Sequence, residues 1–131
     1  GMGEYVAQQV IKLMLKKGIQ VLGSEILILG FTFKENCPDV RNTKVIDIIK
    51  ALKEYNVNIT VYDPWANPAI DRREYGIEVV NALPEVKFDA CIAAVAHKKF
   101  EELNVISLLA PKHIIFDVKA VRNRTEVDGR L

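Results

Sequence analysis

The sequence predicts an α/β fold: a doubly wound, mostly parallel, Rossmann-like sheet of about five or six strands with helices on both faces. Two observations carry this expectation. Apolar runs such as Ile26-Leu27-Ile28-Leu29 recur along the chain without alternation, as strands buried on both faces require. Between the first two runs lies a segment with apolar residues at helical spacing. A strand, a crossover helix and a second strand then fit within about forty residues, the span of a right-handed βαβ unit.

The elements follow in order. Glu4 to Lys17 reads as a helix, with Val6, Val10, Leu13 and Met14 on one face and Gly18 as its stop. Glu25 to Gly30 is the first buried strand. Asn42 to Tyr55 is the second helix, where Val45, Ile48, Ile49 and Leu52 repeat at i, i+3, i+4 and i+7, and Asn42 or Thr43 supplies the N-cap. The β-branched Asn58 to Tyr62, closed by Asp63-Pro64, is the second strand. Trp65 to Tyr75 reads as a loop with a short helix, Ile77 to Val80 as a short strand, and Phe88 to Val95 as another buried one. Lys98 to Leu109 has helical character, with Pro111 ending it, and His113 to Val118 supplies a fifth strand. The charged segment 122–131 is expected to be a loose tail.

With 131 residues the chain suits one domain with a real core. Its 18 basic and 17 acidic residues leave a net charge of +1, so no electrostatic field favours nucleic acid or an anionic membrane as a partner. Cys37 and Cys91 lie far apart without metal-ligand spacing, and Cys91 reads as a small buried hydrophobe. Sparse cysteine and the lack of a membrane-length apolar run lead to the expectation of a cytoplasmic protein. Gly1-Met2 reads as a cloning remnant, so an excised domain is expected.

Ligands of open α/β sheets bind outside the carboxyl ends of the strands, near the point where strand order reverses. That rule singles out the loop after the first strand, the Asp63-Pro64 turn, and the strand ends near His97 and Asp117. In the first loop only Gly30 occupies a position of the G-x-G-x-x-G pattern that lets a backbone approach a pyrophosphate, so a self-sufficient NAD site is not expected. Lys34 and Arg41 are placed to hold phosphate or sugar oxygens, and Arg41 lies near a helix start, where backbone N–H groups favour anions. Asp39 is placed either to pin Arg41 or to cap that helix. A solvated loop with idle charges is an equal reading of the same residues. Asp63 stands where dinucleotide folds carry the ribose-reading acid, but without the glycine fingerprint a turn role is favoured. His97 reads more readily as structural than as a ligand contact, and His113 as a surface residue. Trp65 is open between packing and an interdomain contact.

The run Leu29-Gly30, Phe33-Lys34, Asp39-Val40-Arg41, Thr43 and Asp63-Pro64 resembles the C-terminal domain of the UDP-glucose/GDP-mannose dehydrogenase family. The likeness is closest to bacterial members that act on UDP-N-acetylhexosamines. Val95-Ala96-His97 with Phe100 is similar to the family's Ala-His-x-x-Phe stretch, and Phe116-Asp117-Val118-Lys119 to its late Asp-x-Lys/Arg stretch. Residues 1–22 resemble the segment that leads in from the family's central helix, so the likeness covers nearly the whole chain.

The resemblance implies a single C-terminal UDP-sugar-binding domain, 1–131, of an NAD-dependent 6-dehydrogenase. Such an enzyme takes the C6 alcohol of a UDP-N-acetylhexosamine or UDP-glucose to a carboxylate through a cysteine-bound intermediate. It implies that Phe33, Lys34 and Lys119 contact the UDP-sugar, while Arg41 reaches NAD held mainly by an N-terminal domain. The catalytic cysteine belongs to the region before the central helix. Cys37 falls in the family's variable spacer and is rejected as nucleophile, so no catalytic residue and no metal ligand is expected here. The implied partners are the N-terminal and central domains of a homodimeric parent, and the fragment alone is expected to be inactive. The alternative is a stand-alone Rossmann-like nucleotide-binding or dimerisation module without catalysis.

Overall fold

The computed structural model describes residues 1–34, 37–41, 43–95, 100, 103–118 and 127–131, with the side chains of 33–43 outside that description. Its centre is strand β1 (Glu25–Leu29), in which Ile26, Leu27, Ile28 and Leu29 are all fully buried. Because successive strand residues face opposite ways, Ile26 and Ile28 enter one apolar cluster and Leu27 and Leu29 the other. A run with no polar alternation therefore requires cover on both sides of the sheet.

That cover surrounds six parallel strands. They are β1, β4 (Asn58–Tyr62), β5 (Val79–Val80), β6 (Phe88–Ala93), β7 (Leu109–Asp117) and β8 (Gly129–Arg130), in the spatial order β5-β4-β1-β6-β7-β8. Set apart from them, β2 (Thr32–Lys34) and β3 (Cys37–Arg41) form an antiparallel hairpin. Strand order reverses at β1, which pairs with β4 on one side and β6 on the other. The expected parallel α/β sheet is thus observed, with the strand sequence of a doubly wound dinucleotide fold once the hairpin is set aside.

On the first face, α1 (Met2–Lys16) contributes Val6, Ala7, Val10, Ile11 and Met14 to the core, and α2 (Thr43–Lys53) adds Val45, Ile48, Ile49 and Leu52. The two helices cross closely: a Cβ on Gly3 would lie 2.6 Å from the Asp47 backbone carbon. Helix α1 stops where expected, as Gly18 takes a φ of 72° and the amides of Gly18 and Ile19 return to Leu15 O and Met14 O. The short α3 (Pro68–Tyr75) is bounded by local chemistry. Asn67 caps it by accepting from Ile70 N, Pro68 opens it, and Gly76 closes it in the left-handed region.

The second face departs from the expectation. Of the helix anticipated over 98–109, Phe100 is helical, but Val105–Leu108 is a 3₁₀ segment and β7 already begins at Leu109. Pro111 lies inside β7 and does not end a helix. It falls where the pairing with β6 jumps from Phe88↔Leu109 to Ala90↔Ile114, an irregularity that spares the sheet the missing N–H. Phe88, Cys91, Phe100, Val105, Leu109 and Ile115 fill the cluster there, so Cys91 is the buried hydrophobe anticipated.

The end of the chain differs from the loose tail anticipated over 122–131, because Gly129–Arg130 forms β8 against Phe116 and Asp117. Asp128 fixes it by accepting from Ile115 N at 2.7 Å while pairing with Lys17 Nζ at 2.7 Å; Lys17 also donates to His113 O. None of the described helices is long and apolar enough to cross a membrane.

Candidate functional site

The carboxyl ends of β1, β4 and β6 lie side by side at the strand-order reversal. Gly30 ends β1 with a φ of 103°, and a Cβ there would fall 2.5 Å from Val95 Cβ and 3.3 Å from the Phe100 ring. The glycine thus serves close packing of the β6 end against the β1 end. Beside it Gly30 N donates to Tyr62 O and Ala94 N to Leu29 O, which carries the sheet ladder past the strand ends.

The chain then turns through Phe31 and Thr32, both fully buried. The Phe31 ring lies in the first cluster, tilted 59° against Tyr75 at 6.2 Å. Both backbone amides of the turn donate to Asp63 Oδ2 at 2.8 Å, and Thr32 Oγ1 donates to the same oxygen at 2.7 Å. Asp63 Oδ1 accepts from Trp65 N at 2.8 Å. Asp63 itself has no exposed surface. Three of these donors saturate the two lone pairs of Oδ2, and the fourth lies on Oδ1. The Asp63-Pro64 turn is held in its turn by Asn81, whose amide donates to Asp63 O and Ala66 O, while Asp63 N donates to Val80 O.

This anchored turn leads directly into β2. Thr32 faces Arg41 and Lys34 faces Cys37 in the hairpin register, with an irregularity between the two pairs. The backbones of Phe33, Lys34 and Arg41 therefore share one hairpin rooted at the carboxyl end of the central strand, and α2 starts at Thr43. Their side chains lie outside the described residues, as do Cys37's and Asp39's. Asn42, His97 and Lys119 also lie outside them. Asp117, fully buried, ends β7, and Val118 N donates to Ala93 O, which ties the end of β7 to β6.

Asp63 is thus a turn anchor and not a ribose reader: its oxygens are spent inside the protein. With Val95 packed against Gly30 and the Asp63 oxygens bonded internally, the described residues offer neither the ribose acid nor the open glycine turn of a dinucleotide site and do not fit NAD. Burial, and secondarily the Asp63 charge, push the Tyr62 phenol above its ordinary value, and its ring meets Phe100 edge-on at 6.0 Å. Among the described residues no cluster of three or more His, Cys, Asp or Glu is arranged to hold a metal. The sequence reading missed Thr32, Asn81 and the hairpin itself. The signal for the hairpin is the alternating Phe31-Thr32-Phe33-Lys34 ahead of Cys37 to Arg41.

Residues 27–124 match a family model described as the UDP-glucose/GDP-mannose dehydrogenase family, UDP binding domain. The chain is 46% identical to a UDP-N-acetyl-D-glucosamine 6-dehydrogenase of Salmonella typhi, over 99% of this chain and 31% of that protein. It is 43% identical to the protein of the same description from Pseudomonas aeruginosa, over 100% of this chain and 32% of that one. It spans about a third of the length of these curated relatives. The crystal structure of an NDP-N-acetyl-D-galactosaminuronic acid dehydrogenase from Methanosarcina mazei superposes with a TM-score of 0.71 at 20% identity, covering 92% of this chain and 26% of that chain, which supports the fold.

Proposed function

This chain belongs to the UDP-glucose/GDP-mannose dehydrogenase family, matching its UDP binding domain, and we propose that it is the substrate-positioning part of an NAD-dependent 6-dehydrogenase acting on a UDP-N-acetylhexosamine or UDP-glucose. The observation that carries the reading is the β2–β3 hairpin, rooted at the strand-order reversal and bearing Phe33, Lys34 and Arg41.

In this reading Phe33 packs against the nucleotide-sugar and Lys34 donates to its oxygens as a flexible point charge with three N–H groups. Lys119, two positions after Asp117 in the sequence, contacts the same ligand. Arg41 offers a planar fork toward the phosphates of NAD held by the remaining two-thirds of the parent. NAD would supply the hydride acceptor, and this chain supplies neither its pocket nor the nucleophile. Its contribution is geometric: a sugar held by the nucleotide end presents its C6 in a near-attack position instead of by chance encounter. The parent acts in the cytoplasm as a homodimer, and the isolated chain does not turn over.

The test is an NMR titration of the labelled chain with UDP, a panel of UDP-sugars, and NAD separately. Shifts confined to the Phe33–Lys34 segment and Lys119 with uridine ligands, weakened in Lys34→Ala, are the expected result. Equal affinity in Lys34→Ala, or NAD binding stronger than UDP, would overturn it.

A further inference from the structure

We infer that Asp63 is a positioning residue for substrate recognition: through Thr32 it sets the conformation of the hairpin that carries Phe33 and Lys34. This rests on the reading of that hairpin as the UDP-sugar contact.

Three observations converge on the assignment. Asp63 is fully buried, so none of its acceptor capacity reaches a ligand directly. Three of its four donors come from two consecutive residues, Phe31 and Thr32, far away in sequence and immediately before Phe33. The fourth, Trp65 N, and the Asn81 bonds to Asp63 O and Ala66 O fix the carboxylate from behind. Among the described residues the hairpin pairs with no strand of the six-stranded sheet, so the hold on its root bears on its orientation. Thr32 is also the residue paired with Arg41, so the bonds to Asp63 act at a register position that joins the two strands. An acid at the end of the second strand, which dinucleotide folds aim at a ribose, here acts through the backbone on a loop. Charge-assisted bonds to one carboxylate are shorter and stronger than neutral ones, so the root is stiff where the tip carries the contacts.

The test separates the hydroxyl from the fold. Thr32→Val removes the Oγ1 bond to Asp63 and keeps the shape, whereas Thr32→Ser keeps the bond. Val10→Ala, in the core under α1, serves as a control for general loss of stability. Two readouts are taken on the chain itself: UDP affinity by NMR, and amide exchange across residues 31–41. Thr32→Val is expected to weaken UDP by about five-fold and to speed hairpin exchange, since a bond to a charged group is lost. Thr32→Ser is expected to match the parent sequence, and Val10→Ala to lower the melting temperature without changing UDP affinity. Unchanged affinity and exchange in Thr32→Val would overturn the assignment, as would an equal affinity loss in Val10→Ala. If the unsubstituted chain shows no UDP shifts, the substrate reading fails. The exchange data then still judge Asp63, because faster exchange in Thr32→Val but not Thr32→Ser supports its hold on the hairpin and no difference refutes it.

Discussion

Asp63 and Asp128 each tie distant segments of this chain together, and they do so under opposite conditions. Asp63 is wholly enclosed and gathers four donors from the β1–β2 turn and its own. Asp128 is partly exposed, 24% at the side chain, and holds Ile115 N and a Lys17 ammonium that is itself 43% exposed. Both accept from the backbone amide of a residue far away in sequence. The difference lies in what replaces the bonds when the carboxylate is removed. Water reaches the Lys17 ammonium beside Asp128, although Ile115 N belongs to a buried residue. Around Asp63 the three donors from Phe31 and Thr32 are buried, and without the carboxylate they become unpaired groups. Burial, and not charge or bond count alone, makes one aspartate the root of the candidate site and the other a clasp.

The contrast breaks most clearly at Asp63. Asp63→Ala is expected to cost about 3–4 kcal/mol, since several buried donors lose their acceptor at once. Urea unfolding of the variant measures it, and a loss no greater than that of Asp128→Ala would remove the distinction. Gly30→Ala follows. Its φ of 103° disfavours any Cβ, and the new atom would meet Val95 at 2.5 Å, so a loss of about 2–3 kcal/mol is expected in the same assay. Third comes Asp128→Ala, expected to cost about 1 kcal/mol and to cost less still in high salt, as a partly solvated pair should. A salt-independent loss would mean that the Ile115 bond, and not the ion pair, carries the clasp.

How much of this was legible beforehand follows the same division between local and distant causes. The runs that became β1 and β6 were readable because burial on both faces leaves a continuous apolar signature, and β4 because its β-branched residues end at Asp63-Pro64. The stop of α1 was readable because Gly18 and its left-handed φ are local chemistry. Strand β8 was not: two residues carry no period, and Gly129 is placed by packing against Leu13 and Phe116, where a Cβ would sit 2.9 Å from each. Pro111 misled for a related reason, since its usual role as a helix stop hides a pairing irregularity that only β6 creates. At the candidate site, a turn role for Asp63 was visible from Pro64 beside it. Its partners at Phe31 and Thr32 were not, because they are set by the adjacency of β1 and β4. Phe33, Lys34, Arg41 and Lys119 were found by resemblance to a family and not by any pattern of spacing.

The smallest effect sharpens the comparison from the Asp63 side, through its neighbour Tyr62. That phenol is pushed above its ordinary value of 10.0 by burial first and by the Asp63 charge second. The folded chain therefore holds the Tyr62 proton more tightly than the unfolded chain does. By linkage, stability is unaffected by this group well below pH 10 and declines as pH rises through the unfolded and then the folded value. Tyr62→Phe has no proton to lose, so its stability should fall less steeply above pH 10 than that of the parent sequence. Urea midpoints taken between pH 8 and 11 for both proteins isolate the difference, because the other tyrosines and lysines titrate in both. Parallel curves would mean that water enters beside Tyr62 in the folded state. The burial that raises the Tyr62 phenol would then stop short of its contact with Phe100.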